Sequence, residues 1–395
     1  MNNKKILPYA SQSISSEDIE AVSQALAQPM ITRGPLVESF EKAIAEYCGA
    51  TYGIAFNSGT TALMAAYFAA KMGSSDRILT TPNTFVSTVG SGMQYSATPV
   101  FLDIDRTTGN VDLEQLKINI NQPISRGKTA IVPVHFAGIP VDMQAIDQFI
   151  ADPNTMIIED AAHALGSKYK DGQRVGCCAW SHMTIFSFHP AKNITTGEGG
   201  MVMTNDESLA HQLRLFRNNC IERTPKFLLR EPKPWYYEAV ALSGNYNFTE
   251  MQAALGLSQL KRLDTFIAKR QELLNRYKEE LASVEHVRMF SPDPDLFVVP
   301  NIGVVQIDFE AYKIRREHVM KKLKEQGIMT QVHYIPVYHH PLFVKKMGTL
   351  NDYFPEMESY YAQALTLPLF FDMEQEDVAR VVNALKEILR SQTSV

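Results

Sequence analysis

A chain of 395 residues, 45% of them hydrophobic, can bury a sizeable core and is expected to divide into two domains. Its formal net charge of -5 supplies no broad basic surface for a nucleic acid backbone, which sets nucleic acid aside as a partner. No stretch reaches the roughly 18 apolar residues a membrane helix needs, and Met1 to Pro8 lacks a sustained apolar run, so a soluble cytoplasmic protein without membrane contact is expected.

Leu7 to Ser13 has no helical period and reads as an arm. Ser15 to Asp18 carries a capping-box pattern, and Ile19, Val22 and Leu26 give one apolar helical face that Pro29 stops. A turn-rich loop, Met30 to Pro35, precedes a helix over Leu36 to Cys48. Next a short strand, Gly53 to Phe56, runs through Asn57-Ser58-Gly59-Thr60-Thr61 into an apolar helix from Ala62 to Met72. Strand, small-residue turn and helix start together offer free N–H groups and a positive dipole end to a phosphate, here through Gly59 and Thr60. A capped helix start with no ligand would leave the same pattern.

The strand beginning at Ile78 ends in a loop carrying Phe85. Short apolar runs at Pro99 to Asp103, Ala130 to His135 and Met156 to Glu159 alternate with amphipathic stretches of helical length. That alternation predicts an α/β fold with a mostly parallel sheet covered on both faces, its functional groups at the carboxyl ends of the strands. Asp160 stands at one such end. A strand at Thr184 to Phe188 then gives way to a polar elbow with a single lysine, Lys192, before Gly200 to Thr204 resumes the sheet. Thr249 and Gln252 cap a helix whose continuation, Leu257 to Glu280, bridges to a second domain. There a strand at Asn301 to Asp308, a helix at Arg316 to Gln326 with Gly327 as C-cap, a strand at Ile328 to His333 and a last helix at Glu374 to Leu389 are expected. Residues 1–255 thus form the large domain and 256–395 a smaller α+β domain.

Cys48, Cys177, Cys178 and Cys220 show no paired C-x-x-C spacing and read as reduced thiols. His333, His339 and His340 cluster without a ligand pattern, so no metal site is expected. Lys192 is the residue with the most chemistry to offer. A lysine amine attacks a carbonyl as a Schiff base when its surroundings lower its pKa, and pyridoxal 5′-phosphate is the obvious carbonyl partner. Asp160, about thirty residues earlier, would keep the pyridine nitrogen of such a ring protonated. As an alternative, Asp160 caps a helix over Ala161 to Leu165.

Ser187 to Gly200, with Glu159-Asp160-Ala161-Ala162-His163-Ala164-Leu165-Gly166 upstream, resembles the cofactor-lysine segment of the DegT/DnrJ/EryC1/StrS aminotransferases. The likeness runs over nearly the whole chain, with motifs in the same order. It implies fold type I and pyridoxal phosphate bound covalently to Lys192, with Ser187, Gly59 and Thr60 on its phosphate. Phe85 would stack on the ring, although a lone Phe also serves as core. Asp160 would pair with the pyridine nitrogen and His163 would lie near the phenolic oxygen. Asn245 matches an asparagine that reaches the phosphate of the neighbouring subunit, which implies a homodimer with shared sites; Asn247 stands where the family often carries arginine.

The same resemblance makes Tyr9 and the loop Thr32, Arg33 and Gly34 candidates for the sugar-nucleotide site. Gln331 to Tyr338, which includes His333 and Tyr334, resembles the segment lying against the nucleotide sugar in pseudaminic acid relatives. Packing within the small domain is the other reading of those aromatics. The implied reaction carries an amino group from L-glutamate, leaving 2-oxoglutarate, to C4 of a UDP-linked 4-keto-6-deoxy-N-acetylhexosamine. Its rivals are amination at C3, a dTDP or GDP sugar, a dehydratase, and a non-catalytic sugar sensor. Dehydratases of this family replace the lysine with histidine, and a sensor needs no productive lysine, so Lys192 argues against both.

Overall fold

The computed structural model describes residues 5–122 and 127–390. Among them β1 (Tyr52–Phe56), β2 (Arg77–Thr80), β3 (Thr98–Phe101), β4 (Thr129–Val132), β5 (Met156–Asp160), β6 (Met183–Ser187) and β7 (Gly200–Thr204) form one seven-stranded sheet. Its order is β1-β7-β6-β5-β4-β2-β3. Only β7 runs against its neighbours; the other pairings are parallel.

Alternation along these strands explains the layers, because successive side chains point to opposite faces. Ile54, Phe56, Ile158, Ile185 and Val202 pack with Leu63, Ala66 and Tyr67 of α3 (Gly59–Ala69) and with Leu213 of α7 (Glu207–Arg217). On the opposite face Ala55, Ile157, Phe186, Met201 and Met203 meet Phe40 and Ile44 of α2 (Pro35–Cys48). With both faces covered, the strands can be apolar throughout, which is why they read as short unbroken runs. The first helix is α1 (Ser16–Leu26); α4 (Val86–Met93), α5 (Leu113–Ile120) and α6 (Met143–Phe149) connect the parallel strands.

After α7 come a two-stranded ribbon, β8 (Ile221–Glu222) with β9 (Glu238–Ala239), and then α8 (Glu250–Leu260) and α9 (Leu263–Leu281). A three-stranded sheet follows, β10 (Val287–Met289), β11 (Gly303–Ile307) and β12 (Ala364–Leu367), with α10 (Arg316–Glu325), α11 (Pro341–Met347), α12 (Pro355–Gln363) and α13 (Gln375–Arg390). The expected bridging helix is broken at Lys261–Arg262, where Arg262 N–H turns back to Gln259 O at 3.0 Å. Leu263, Phe266 and Ile267 at one end of α9 join the first core, whereas Leu273, Tyr277 and Leu281 join a second core with β11, β12 and α13.

Two local expectations differ from the structure. Ile328 to His333 forms no strand, because Ile328 bridges to Leu7 of the arm while Gln331 bridges to Thr366, and no single neighbour runs beside the segment. Residues 161–165 form turns rather than a helix, with Ala164 N–H bonded to Ala161 O at 2.9 Å. No helix of the described residues is long and apolar enough to cross a membrane.

Candidate active site

The N-terminus of α3 is built for an anion. Ser58 is its N-cap: the hydroxyl accepts from Thr61 N–H at 3.1 Å, and Thr61 Oγ1 accepts from Ser58 N–H at 3.1 Å. Ala62 N–H is bonded to Ser58 O, so Gly59 and Thr60 carry the unspent donors of the first turn. Ser187, the last residue of β6, closes the other side. A methyl group placed on Gly59 would lie 3.1 Å from Ser187 Cβ and 3.2 Å from its Oγ. A phosphate fits this cradle of two N–H groups and a hydroxyl only because residue 59 has no side chain. Gly59→Val is therefore expected to weaken binding of pyridoxamine 5′-phosphate to the apoprotein on the order of 100-fold, read by calorimetry. Unchanged affinity would locate the phosphate elsewhere.

Asp160 ends β5 almost fully buried. Its Oδ2 accepts from Thr88 Oγ1 at 2.6 Å and its Oδ1 from Ala162 N–H at 3.2 Å, while Thr88 Oγ1 lies 2.7 Å from Thr84 Oγ1. Since no helix follows, the carboxylate is not a helix cap. Its backbone is pinned to the neighbouring strand end by His135 N–H to Asp160 O (3.0 Å) and Asp160 N–H to Pro133 O (2.9 Å).

Lys192 lies in the turn beyond β6. Its N–H donates to His189 O at 2.8 Å, and buried Asn301 holds the turn by donating to Ala191 O at 3.1 Å. Burial pulls the amine down to about 8, against the opposing pull of the Asp160 carboxylate. Burial, then the Lys192 charge, also lowers both neighbouring histidines: His163 falls well below its usual range and His333 to about 3. His163 is thus neutral, and its tautomer follows from its partners. Nδ1 accepts from Ala137 N–H at 3.3 Å, so Nε2 carries the proton and donates to Tyr334 OH at 3.1 Å. His333 Nδ1 lies 2.8 Å from Thr366 Oγ1, and its ring centroid is 5.6 Å from that of Tyr9.

Phe85 is 56% exposed, with its ring centroid 6.3 Å from that of Tyr334, so it is available to a ligand rather than spent in the core. Tyr9, Phe85, Asp160, His163, Lys192, His333 and Tyr334 therefore gather in one region, with Ser187, Gly59 and Thr60 at its side. The loop Thr32 to Gly34 does not join them within this chain. It is pinned to α8, where the Glu250 carboxylate accepts from Gly34, Leu36 and Val37 N–H, each at 3.0 Å, and Glu250 N–H donates back to Thr32 O at 2.9 Å. Arg33 is pushed down by burial and by the nearby Arg217 charge. Asn245 sits close by that corner, in a bridge with Asn218. Its carboxamide oxygen accepts from Asn247 Nδ2 (2.8 Å) and Asn247 N–H (3.2 Å), which turns its own N–H2 outward.

Sequence reasoning missed Thr88, Asn83, Thr366 and Glu250. Asn83 accepts from Tyr334 N–H at 3.3 Å, and each of the others holds a candidate residue through one side chain. Thr88 is 72 residues from Asp160 and Glu250 is 216 from Gly34, so no local pattern could have paired them.

The chain is 35% identical to an uncharacterized protein of Methanocaldococcus jannaschii, over 98% of this chain and 99% of that one. It is also 35% identical to the spore coat polysaccharide biosynthesis protein SpsC of Bacillus subtilis, over 97% of each chain. Among solved structures, Helicobacter pylori PseC, an aminotransferase involved in the biosynthesis of pseudoaminic acid, superposes with a TM-score of 0.88 at 28% identity, over 98% of this chain and 100% of that one. Residues 12–386 match the DegT/DnrJ/EryC1/StrS aminotransferase family, and the chain belongs to that family of aminotransferases.

Proposed function

We propose that the protein uses pyridoxal 5′-phosphate on Lys192 to move an amino group from L-glutamate to C4 of a UDP-linked 4-keto-6-deoxy-N-acetylhexosamine. The product would be UDP-4-amino-4,6-dideoxy-N-acetyl-β-L-altrosamine, a precursor of pseudaminic acid. The observation that carries the reading is a half-buried lysine whose amine is held near 8 and interacts with the buried Asp160 carboxylate, together with a helix N-terminus at Gly59 that suits a phosphate. Support for the sugar comes from two of the similar proteins, one involved in pseudoaminic acid biosynthesis and the other in spore coat polysaccharide biosynthesis.

When bound, the cofactor supplies a carbonyl for the donor nitrogen and a ring that withdraws electrons from the carbon losing its proton. Ser187, Gly59 and Thr60 would hold its phosphate, and the Asp160 carboxylate would keep the proton on its ring nitrogen. The exposed Phe85 ring would cover one face of the pyridine. Lys192 Nζ, with a pKa near working pH, would take the proton from one carbon and deliver it to another. Tyr334 OH accepts the His163 proton and so has its own to donate to an oxygen in the site.

A second copy of the chain would complete the site. Leu229 (90% exposed), Trp235 (73%) and Leu242 (96%) leave a large apolar surface uncovered on the segment leading to Asn245. In a homodimer that surface would be buried, and Asn245 with Thr32 to Gly34 would reach the neighbour's site. Large and small domains would divide near residues 255 and 256.

The test is the absorbance of the cofactor-loaded protein. Glutamate should remove the Lys192-linked band, and the UDP-4-keto-6-deoxy sugar should restore it with formation of an amino sugar. Restoration only by a 3-keto sugar or by dTDP or GDP sugars would reassign the substrate, and a band that no amine donor moves would end the reading.

A further inference from the structure

Glu159 precedes Asp160 on β5, so its side chain enters the opposite face of the sheet. It is 1% exposed and takes part in none of the chemistry above. Its carboxylate accepts from four side chains: His135 Nε2 at 2.8 Å and Tyr169 OH on one oxygen, Ser181 Oγ at 2.5 Å and Thr184 Oγ1 at 2.7 Å on the other. His135 Nδ1 is occupied as acceptor for Val141 N–H at 2.9 Å, so its ring proton points at Glu159. Burial alone would push this carboxyl up; the donors from His135, Ser181 and Tyr169 hold it below the ordinary carboxylate range. Tyr169 is correspondingly driven well above its usual value, by burial first and then by Glu159.

A buried carboxylate is a costly way to fill space, and apolar residues of the same volume often stabilise a core as well or better. What this one has is direction. Three of its donors, His135, Ser181 and Thr184, lie on segments leading to residues of the candidate site. His135 lies three residues beyond β4, gives its backbone N–H to Asp160 O at 3.0 Å, and stands two residues before Ala137, whose N–H fixes the tautomer of His163. Thr184 lies on β6, three residues before Ser187 and ahead of the Lys192 turn. Thr184 and Asp160 also flank the β5–β6 register, in which Glu159 is opposite Thr184 and Asp160 opposite Ile185.

We infer that Glu159 is a positioning residue for the transamination: from behind the sheet it locks the ends of β4, β5 and β6 together, and thereby fixes Asp160, His163 and the Ser187–Lys192 elbow relative to one another. The inference rests on the cofactor reading above.

The test uses full-length protein carrying Glu159→Gln, with Tyr169→Phe as a milder second variant. An amide cannot accept from all four donors, since its N–H2 meets a hydroxyl or imidazole proton. Glu159→Gln should weaken pyridoxamine 5′-phosphate binding to the apoprotein about 10-fold by calorimetry and move the pH midpoint of the Lys192-linked absorbance band. It should lower kcat on the order of 100-fold with KM for the keto sugar unchanged. Tyr169→Phe removes one donor and should shift the same midpoint in the same direction by a smaller amount. A lowered melting temperature with wild-type affinity, midpoint and kcat per bound cofactor would reduce Glu159 to a structural group and overturn the inference. Should Glu159→Gln fail to fold, an unmoved midpoint in Tyr169→Phe would overturn it equally. Loss of cofactor binding by the wild-type protein would instead strike the cofactor reading itself.

Discussion

Lys192→Met is expected to lower transamination on the order of 10,000-fold or more and, in the same protein, to make the apo form more stable. The first effect follows from losing the amine that would carry the cofactor and move the proton. The second follows from linkage. The folded amine titrates near 8, whereas an unfolded lysine titrates near 10.5. Between those values the unfolded chain holds the proton and the folded chain does not, so wild-type stability rises with pH across the window. Below about 8 the full penalty of burying the ammonium applies, about 3 kcal/mol from the shift from 10.5 to about 8. Methionine removes that penalty. Urea denaturation of the two apoproteins should separate them by about this amount at pH 7 and bring them together above pH 10.5. Equal stability at pH 7 would show that the folded lysine is not under this strain, and a variant with wild-type turnover would remove Lys192 from the mechanism.

The next largest effect is expected from Asp160→Asn, a change that keeps shape and discards charge. The remaining oxygen can still accept from Ala162 N–H, and the new N–H2 can face Thr88 Oγ1 if that hydroxyl turns its proton to Thr84 Oγ1, 2.7 Å away. Folding is thus spared, and the melting temperature should stay within about 2 °C of wild type. What disappears is the anion that would hold a proton on the ring nitrogen, a buried charge pair worth about 4 kcal/mol, or on the order of 1,000-fold in rate. Single-turnover measurements with glutamate and with the keto sugar should both slow. If only one half slows, the carboxylate acts on a substrate and not on a group common to both halves.

What the sequence disclosed, and what it withheld, follows from the reach of each interaction. The turn from β1 into α3 was legible because Ser58, Gly59, Thr60 and Thr61 satisfy one another within a single helical turn. Lys192 and Asp160 stood out as candidates because an apolar strand run stops abruptly shortly before each. By contrast, Ile328 to His333 has strand-like residues, yet the arm and β12 claim different parts of it, a competition that no window of sequence contains. The break at Lys261–Arg262 was hidden because helical residues continue on both sides; the two helices separate to follow different packing surfaces. Glu159 read simply as the last apolar-run neighbour of Asp160. Its meaning depends on His135, Tyr169, Ser181 and Thr184, which meet only after three strands have been laid side by side.

The arm has a consequence in time. Leu7 is fully buried in a core otherwise supplied by residues 273–389, and its N–H and C=O bond to Gly327 O and Met329 N–H at 2.8 Å each. Tyr9 is held the same way, its carbonyl accepting from Leu369 N–H at 3.1 Å. During synthesis the arm is made before residues 273–389, and Leu7 stays without this core until they have left the ribosome. Tyr9 therefore reaches its place only after Leu369 has been made, and the candidate sugar side of the site closes no earlier than that.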